Sequence, residues 1–250
     1  MKIKPVVIIF ILISISAFAC ETVKNIYDSN VLTNEEVIRG LREALTVGTD
    51  TSVHSLHATD GYYTDQAVKI LLPAEAKVVY DNIALIPGGK TVLEEVVKKV
   101  NRAAEDAAVE AKPIFVGAIK NITIGDGFVI LRGTDTAATH YLKSTTYDSL
   151  TAVFKPRIQS SLRKAIVGTV SAESAYTALI DNYNKAARLA NMIPGSQYAV
   201  ISSNSLSEYT TRRALDGLFL KIADEEKAIR QDPAARVNAI LKKVFSERLH

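Results

Sequence analysis

The chain has 250 residues and a single cysteine, Cys20. No disulfide can close within it, and no cysteine-rich zinc site can be built. Runs of lysine and arginine are also missing. The basic doublets Lys98–Lys99, Arg212–Arg213 and Lys242–Lys243 stand beside carboxylates or apolar residues. They read as solvated helix faces, and nothing points to nucleic acid. The formal net charge is only +3, and two of those charges, Lys2 and Lys4, lie at the extreme N-terminus. No motif repeats at a period of 20–50 residues, which excludes a solenoid.

Catalytic signatures are equally scarce. There is no Gly-x-Ser-x-Gly elbow and no His-Glu-x-x-His. A di-iron bundle needs Glu-x-x-His on two helices, and only Glu247 to His250 has that spacing. His54 and His57 are three apart and can share a helix face, but no further ligand joins them at a known spacing. Gly88-Gly89-Lys90-Thr91 looks like the end of a phosphate loop. The glycine required five residues before Gly89 is Ala84, so nucleotide binding is not expected. No cofactor is implied.

What is present is a globular composition, 48% hydrophobic and 23% charged. Val6 to Phe18 is an apolar run of 13 residues after a basic start. A spanning helix needs about 20, so the run reads as a secretory signal rather than an anchor. Ala17-Phe18-Ala19-Cys20 then resembles a bacterial lipoprotein signal, with Ala17 where leucine is common and Phe18 where a small residue is common. The expectation is a signal over 1–19, a lipidated Cys20, a tether over 20–32 and one helical domain over 33–250. The protein would then sit in the bacterial envelope, held to a membrane through Cys20 and facing the periplasm. It would be secreted or periplasmic if Cys20 is not acylated.

The rest of the chain reads as all-α, a compact fold of about eight to ten helices with little or no strand. Thr33-Asn34-Glu35-Glu36 is a capping box. Val37, Leu41, Ala44 and Leu45 follow at helical spacing, and Gly48 is expected to end that helix, with another over 50–57. Val68 to Leu72 reads as extended or irregular, and Pro73 as the opening of a helix over 74–83. Lys90 to Ala111 carries the clearest stripe: Leu93, Val96, Val97, Val100, Ala104, Ala107 and Ala111. Pro113 should kink or divide it. Helices are expected to break at Pro156, to run from Ala172 to Ala190 behind Ser171, and to run from a second capping box, Ser205 to Glu208, to about Gln231. Asp232-Pro233 should open the last helix, with Val237, Ile240, Leu241, Val244 and Phe245 on one face.

Five stretches carry a resemblance. They are Asp60-Gly61-Tyr62-Tyr63 with Val68-Lys69-Ile70 and Leu72-Pro73; Asn101-Arg102-Ala103-Ala104-Glu105; Gly133-Thr134-Asp135 with Ala137-Ala138-Thr139 and Tyr141-Leu142; Ala214 to Phe219; and Glu225-Glu226 with Ile229-Arg230, Asp232-Pro233 and Arg236. In this order they resemble the bacterial domain-of-unknown-function 4197 family. The resemblance implies a secreted or lipoprotein-like, mostly helical protein and supplies no activity.

Candidate polar residues follow from position. Asn101 and Glu105 border the buried stripe of the long helix, as a tie to a neighbour or as the wall of a pocket. Asp135 stands at a helix start, where capping is the plain role, and His140 follows it as a candidate general base. Glu225 and Glu226 interrupt the apolar face of the helix from Leu206. Glu226 has i, i+4 spacing to Arg230, and Arg236 lies one turn past the corner, within reach of Glu225. A structural network fixing the angle between the last two helices is expected. Two functions compete: a non-enzymatic helical module binding a protein or an apolar ligand, and an envelope hydrolase or lyase built on the Glu, Asp and His residues. Convergence of these side chains on a pocket would favour the enzyme.

Overall fold

Thr33 opens the first helix as its spacing predicts. The Thr33 hydroxyl accepts from the Glu36 amide at 3.1 Å, and the Glu36 carboxylate accepts from the Thr33 amide at 3.0 Å. The structure, a computed structural model, describes residues 33–73, 76–77, 89–198, 200–201 and 205–246. The expected signal, Cys20, the tether and nearly all of the helix expected over 74–83 lie outside these residues.

Eight α-helices occur among the described residues: α1 Asn34–His57, α2 Gly89–Ala108, α3 Ala111–Lys120, α4 Ile124–Arg132, α5 Ala137–Leu162, α6 Ala172–Ala190, α7 Leu206–Gln231 and α8 Ala239–Ser246. A two-stranded antiparallel hairpin, β1 Ala165–Val167 and β2 Val170–Ser171, joins α5 to α6. Among the described residues the fold is therefore all-α, 75% helical, with this one small sheet. Helix α5 packs along both α2 and α7, while α1 packs on α7, α3 and α8. The seven stripe residues from Leu93 to Ala111 are all buried in the shared core. Phe219 of α7 meets Phe115 of α3 edge-on at 6.0 Å and stacks on Tyr147 of α5 at 6.4 Å, which fastens three helices at one point.

Local signals were overridden where burial outweighed them. Gly48 does not end α1, which runs on to His57. A mid-helix glycine costs about 1 kcal/mol relative to alanine. Continuing the helix buries Val53 and Leu56, and each such side chain contributes roughly 1.5–3 kcal/mol. Gly48 itself is buried against Glu225 of α7. Pro156 likewise lies inside α5 rather than breaking it. An interior proline costs about 3 kcal/mol. Leu150, Phe154, Ile158 and Leu162, at successive i+4 positions, are all fully buried, and a break would turn the last two out of the core.

Other boundaries moved for nameable reasons. The long helix ends at Ala108, because Pro113 cannot donate to the Val109 carbonyl four residues back; Pro113 instead sits in the first turn of α3, where its missing N–H is harmless. A capping box at Thr123 and Asp126 opens α4. Ser205 does not cap α7 with its side chain, since its hydroxyl donates to Glu173 of α6 and Glu208 pairs with Lys155. Asp232-Pro233 opens only a 3-10 turn, Pro233–Ala235, leaving Val237 exposed. The last helix starts at Ala239, where Asn238 accepts from the Leu241 amide at 3.0 Å.

Candidate functional site

Asn101 and Glu105 lie one turn apart on α2, and both are buried. Neither faces a neighbouring helix. They hold the irregular chain between α1 and α2. Asn101 Oδ1 accepts from the Ile70 amide and its Nδ2 donates to the Ile70 carbonyl, both at 2.8 Å. One side-chain amide thus satisfies both backbone groups of a fully buried residue, as a neighbouring strand would. Glu105 accepts from the amides of Asp60, Tyr62 and Tyr63 at 3.2–3.3 Å and from Arg102 at 2.6 Å. Arg102 also reaches Asp60 at 2.8 Å. Desolvation alone would pull the Arg102 guanidinium down, but the hydrogen bond and charge of Glu105, with Asp60 behind it, hold it above its ordinary value.

The turn so held is tightly constrained. Asp60 adopts a left-handed φ of 67°. A Cβ on Gly61 would stand 2.3 Å from the Ser55 carbonyl oxygen, which is backbone and cannot give way. Tyr62 is fully buried and its hydroxyl donates to the Ala214 carbonyl of α7 at 2.8 Å. Burial first, and then the Glu105 charge, push that phenol far above its usual range.

A second network sits at Glu226. This carboxylate, 8% exposed, accepts from the amides of Ala138 and Thr139 at 3.0 and 2.8 Å and from the Thr139 hydroxyl at 2.8 Å. It pairs with Arg230 through Nη2 at 2.8 Å and Nε at 3.0 Å. Arg230 also donates to the Ile130 and Leu131 carbonyls, at 2.9 and 3.3 Å. The pair therefore caps two helices at once. The anion takes the N-terminal amides of α5, whose N-cap Thr136 makes no side-chain cap, and the cation takes the last carbonyls of α4. Each charge is opposite in sign to the helix-dipole end it meets, and so is favoured there. The network fixes the corner between α4 and α5 against α7, rather than the angle between the last two helices.

The remaining candidates separate. Arg236 does not meet Glu225; it donates to the Ile229 and Arg230 carbonyls at 3.0 Å and closes the C-terminus of α7. Those carbonyls end a helix and need donors, so they hold the guanidinium. Glu225 is half-buried beside Gly48, and burial, then the neighbouring Asp224, raise its carboxyl above the ordinary glutamate value. Asp135 is exposed and accepts from Gln231 instead of capping α5. His140 is exposed on α5. His54 and His57 are both exposed, and the His57 ring shares a 2.9 Å hydrogen bond with the Glu105 carbonyl. Arg102 and Thr139, which the sequence offered only as part of the family resemblance, are partners of the two carboxylates. The i, i+3 spacing of Arg102 to Glu105 was the available signal; nothing local marks Thr139.

No cavity among those found in the described residues joins these groups. A crevice of about 10 Å³ beside Glu226 and Arg230, closed by Leu41, Ile229 and Phe245, has room for about one water. An open groove of about 490 Å³ runs along α1 between Glu35, Arg39, Arg42, Glu43 and Ile124. Neither contains Asn101, Glu105, Asp135 or His140. Among the described residues, no three His, Cys, Asp or Glu side chains come together as a metal site.

The sequence profile of one family, described as "Protein of unknown function (DUF4197)", matches residues 31–246. The chain belongs to this family. No curated protein and no solved structure matches it. The residues that carry the resemblance include the members of both buried networks: Asp60 to Tyr63 with Asn101 to Glu105, and Ala138-Thr139 with Glu226 and Arg230.

Proposed function

We propose that this chain is a non-enzymatic helical module of the bacterial envelope, anchored through an acylated Cys20 and presenting its folded part to a protein or apolar ligand. One observation carries the non-enzymatic half: both buried carboxylates are used up by the fold. A carboxylate has about four lone-pair positions. Glu105 meets four N–H donors, and Glu226 meets two amides, a hydroxyl and the Nε and Nη2 of Arg230. Neither keeps an acceptor to take a proton from a substrate. Asp135, His140 and Glu225 line neither of the two described cavities, so these cavities lend the hydrolase or lyase reading no support. The anchoring half is supported by the sequence alone: the apolar run from Val6 to Phe18, the small residues Ala17 and Ala19, and the only cysteine at the next position. More than one acyl chain gives stable attachment, since one alone is marginal.

The test is metabolic labelling with a fatty-acid probe. Wild type should be labelled and recovered with membranes, and Cys20→Ala should be unlabelled and soluble. An unlabelled wild type ends the anchoring proposal.

A further inference from the structure

The C-terminal half of α6 has two faces with different tasks. Asn184, Ala187 and Asn191, at i, i+3 and i+7, turn towards the chain that follows the helix. Asn184 accepts from the Ile201 amide and donates to the Ile201 carbonyl, both at 2.8 Å. Asn191 does the same for Tyr198, at 2.7 and 2.9 Å. These are the same two-bond clamps that Asn101 makes on Ile70. The returning chain is thus pinned against the helix, and its shape is set before anything binds.

The other face carries Lys185, Arg188, Leu189 and Met192 at i, i+3, i+4 and i+7. Leu189 is 65% exposed, Met192 77% and Ile193 62%, and the pinned chain adds Tyr198 at 55% and Val200 at 46%. Five large apolar side chains thus stand in water among residues 189–198 and 200, and asparagine clamps hold the backbone of Tyr198 and Ile201 beside the helix. Large apolar side chains exposed this densely along one short stretch mark an interaction site. Its chemistry is narrow. Between Asp181, an exposed carboxylate one turn before Lys185, and Glu208 there is no aspartate or glutamate, and Lys185 and Arg188 are the only charged residues in that stretch. Both are exposed and stand one turn or less before Leu189, where long cationic side chains have the length to reach a surface that the apolar tip touches. An aliphatic tip, an interfacial tyrosine and two cations behind them fit the headgroup and acyl boundary of an anionic bilayer. A protein interface would more often set both signs of charge around its rim.

We infer that the 189–200 tip is a second membrane contact, docking on anionic lipid independently of Cys20. This rests on the proposal that the protein faces a membrane. It is tested on the chain beginning at position 20 and carrying Cys20→Ala, so that no acyl chain contributes. Among the described residues the buried hydrophobic side chains run from Val37 to Val244, and the truncation removes none of these. The protein has no tryptophan, so Ile193→Trp provides a single emitter at the tip.

The chain should co-sediment with vesicles rich in phosphatidylglycerol and only weakly with phosphatidylcholine alone, and the tryptophan emission should move to the blue on binding. Met192→Ser with Ile193→Ser should weaken binding roughly tenfold or more. Lys185→Gln with Arg188→Gln, or added salt, should do so by about tenfold or more. All these side chains are exposed, so the variants should melt as wild type does. If the serine pair were to unfold the protein, the glutamine pair and the salt titration would still decide. Equal binding to both vesicle types, binding unaffected by either pair, or no emission shift overturns the inference. So does a dimer in sedimentation that the serine pair dissolves, which would assign the tip to a second copy. Failure of acylation at Cys20 would leave this result untouched, because the assayed chain lacks that cysteine.

Discussion

Replacing Glu226 by glutamine changes almost no volume and removes one acceptor oxygen. The side chain is 8% exposed, and every group facing it is a donor: the Ala138 and Thr139 amides, the Thr139 hydroxyl and the Arg230 guanidinium. Whichever way the new amide turns, its NH2 meets N–H groups. Oriented to keep Ala138 and Arg230, it abandons Thr139; turned over, it abandons the arginine. Arg230 keeps the Ile130 and Leu131 carbonyls but loses its counter-charge. Breaking a buried pair from one side typically costs about 3–5 kcal/mol, against about 0–1 for an exposed pair. For a domain of this size 1 kcal/mol moves the melting point by about 2–4 °C, so Glu226→Gln should lower it by roughly 6–20 °C. Arg230→Met should cost less, since Glu226 keeps three donors. Calorimetric melting of both single variants and the double variant should show a coupling of about 0.5–3 kcal/mol. Two single variants that melt as wild type does would refute the argument that this ion pair holds the α4–α5 corner.

Two further outcomes follow from the other buried groups. Asn101→Leu leaves the Ile70 amide and carbonyl buried without their partner, and each such group costs about 1–3 kcal/mol; the denaturation midpoint should fall and the Ile70 amide should lose hydrogen-exchange protection, whereas unchanged protection would show that Asn101 is not what holds that chain. Glu225→Gln concerns pH. A carboxyl raised above its ordinary value in the fold disfavours folding once ionised, so its penalty is absent below the ordinary glutamate range and grows as pH rises through the raised value. The variant should therefore melt slightly above wild type at neutral pH, since solvent screens a half-exposed carboxyl, and coincide with it in acid; a variant less stable at neutral pH would contradict the sign.

The sequence by itself determined the fold class, the family and most helix identities, because these depend on patterns a few residues long. The Thr33 capping box, the stripe from Leu93 to Ala111, and Ser171 before α6 are all local, and each appears as its spacing predicts. It also marked Asn101, Glu105, Glu226 and Arg230 as polar groups at the margin of the core. Beyond the Glu226–Arg230 and Arg102–Glu105 pairs one turn apart, their partners are 31 to 100 residues away, and no periodicity reports those. The sequence therefore suggested a tie to a neighbouring helix where the fold uses Asn101 to pin a loop, and an Arg236–Glu225 pair where Arg236 closes a helix end. Gly48 and Pro156 failed as helix ends for the same reason: a local cost of about 1–3 kcal/mol is outweighed when continuing the helix buries two or more large apolar side chains. Only tertiary packing sets that balance. It alone turned two carboxylates that looked available for chemistry into fully occupied acceptors, and left the apolar end of α6 facing water.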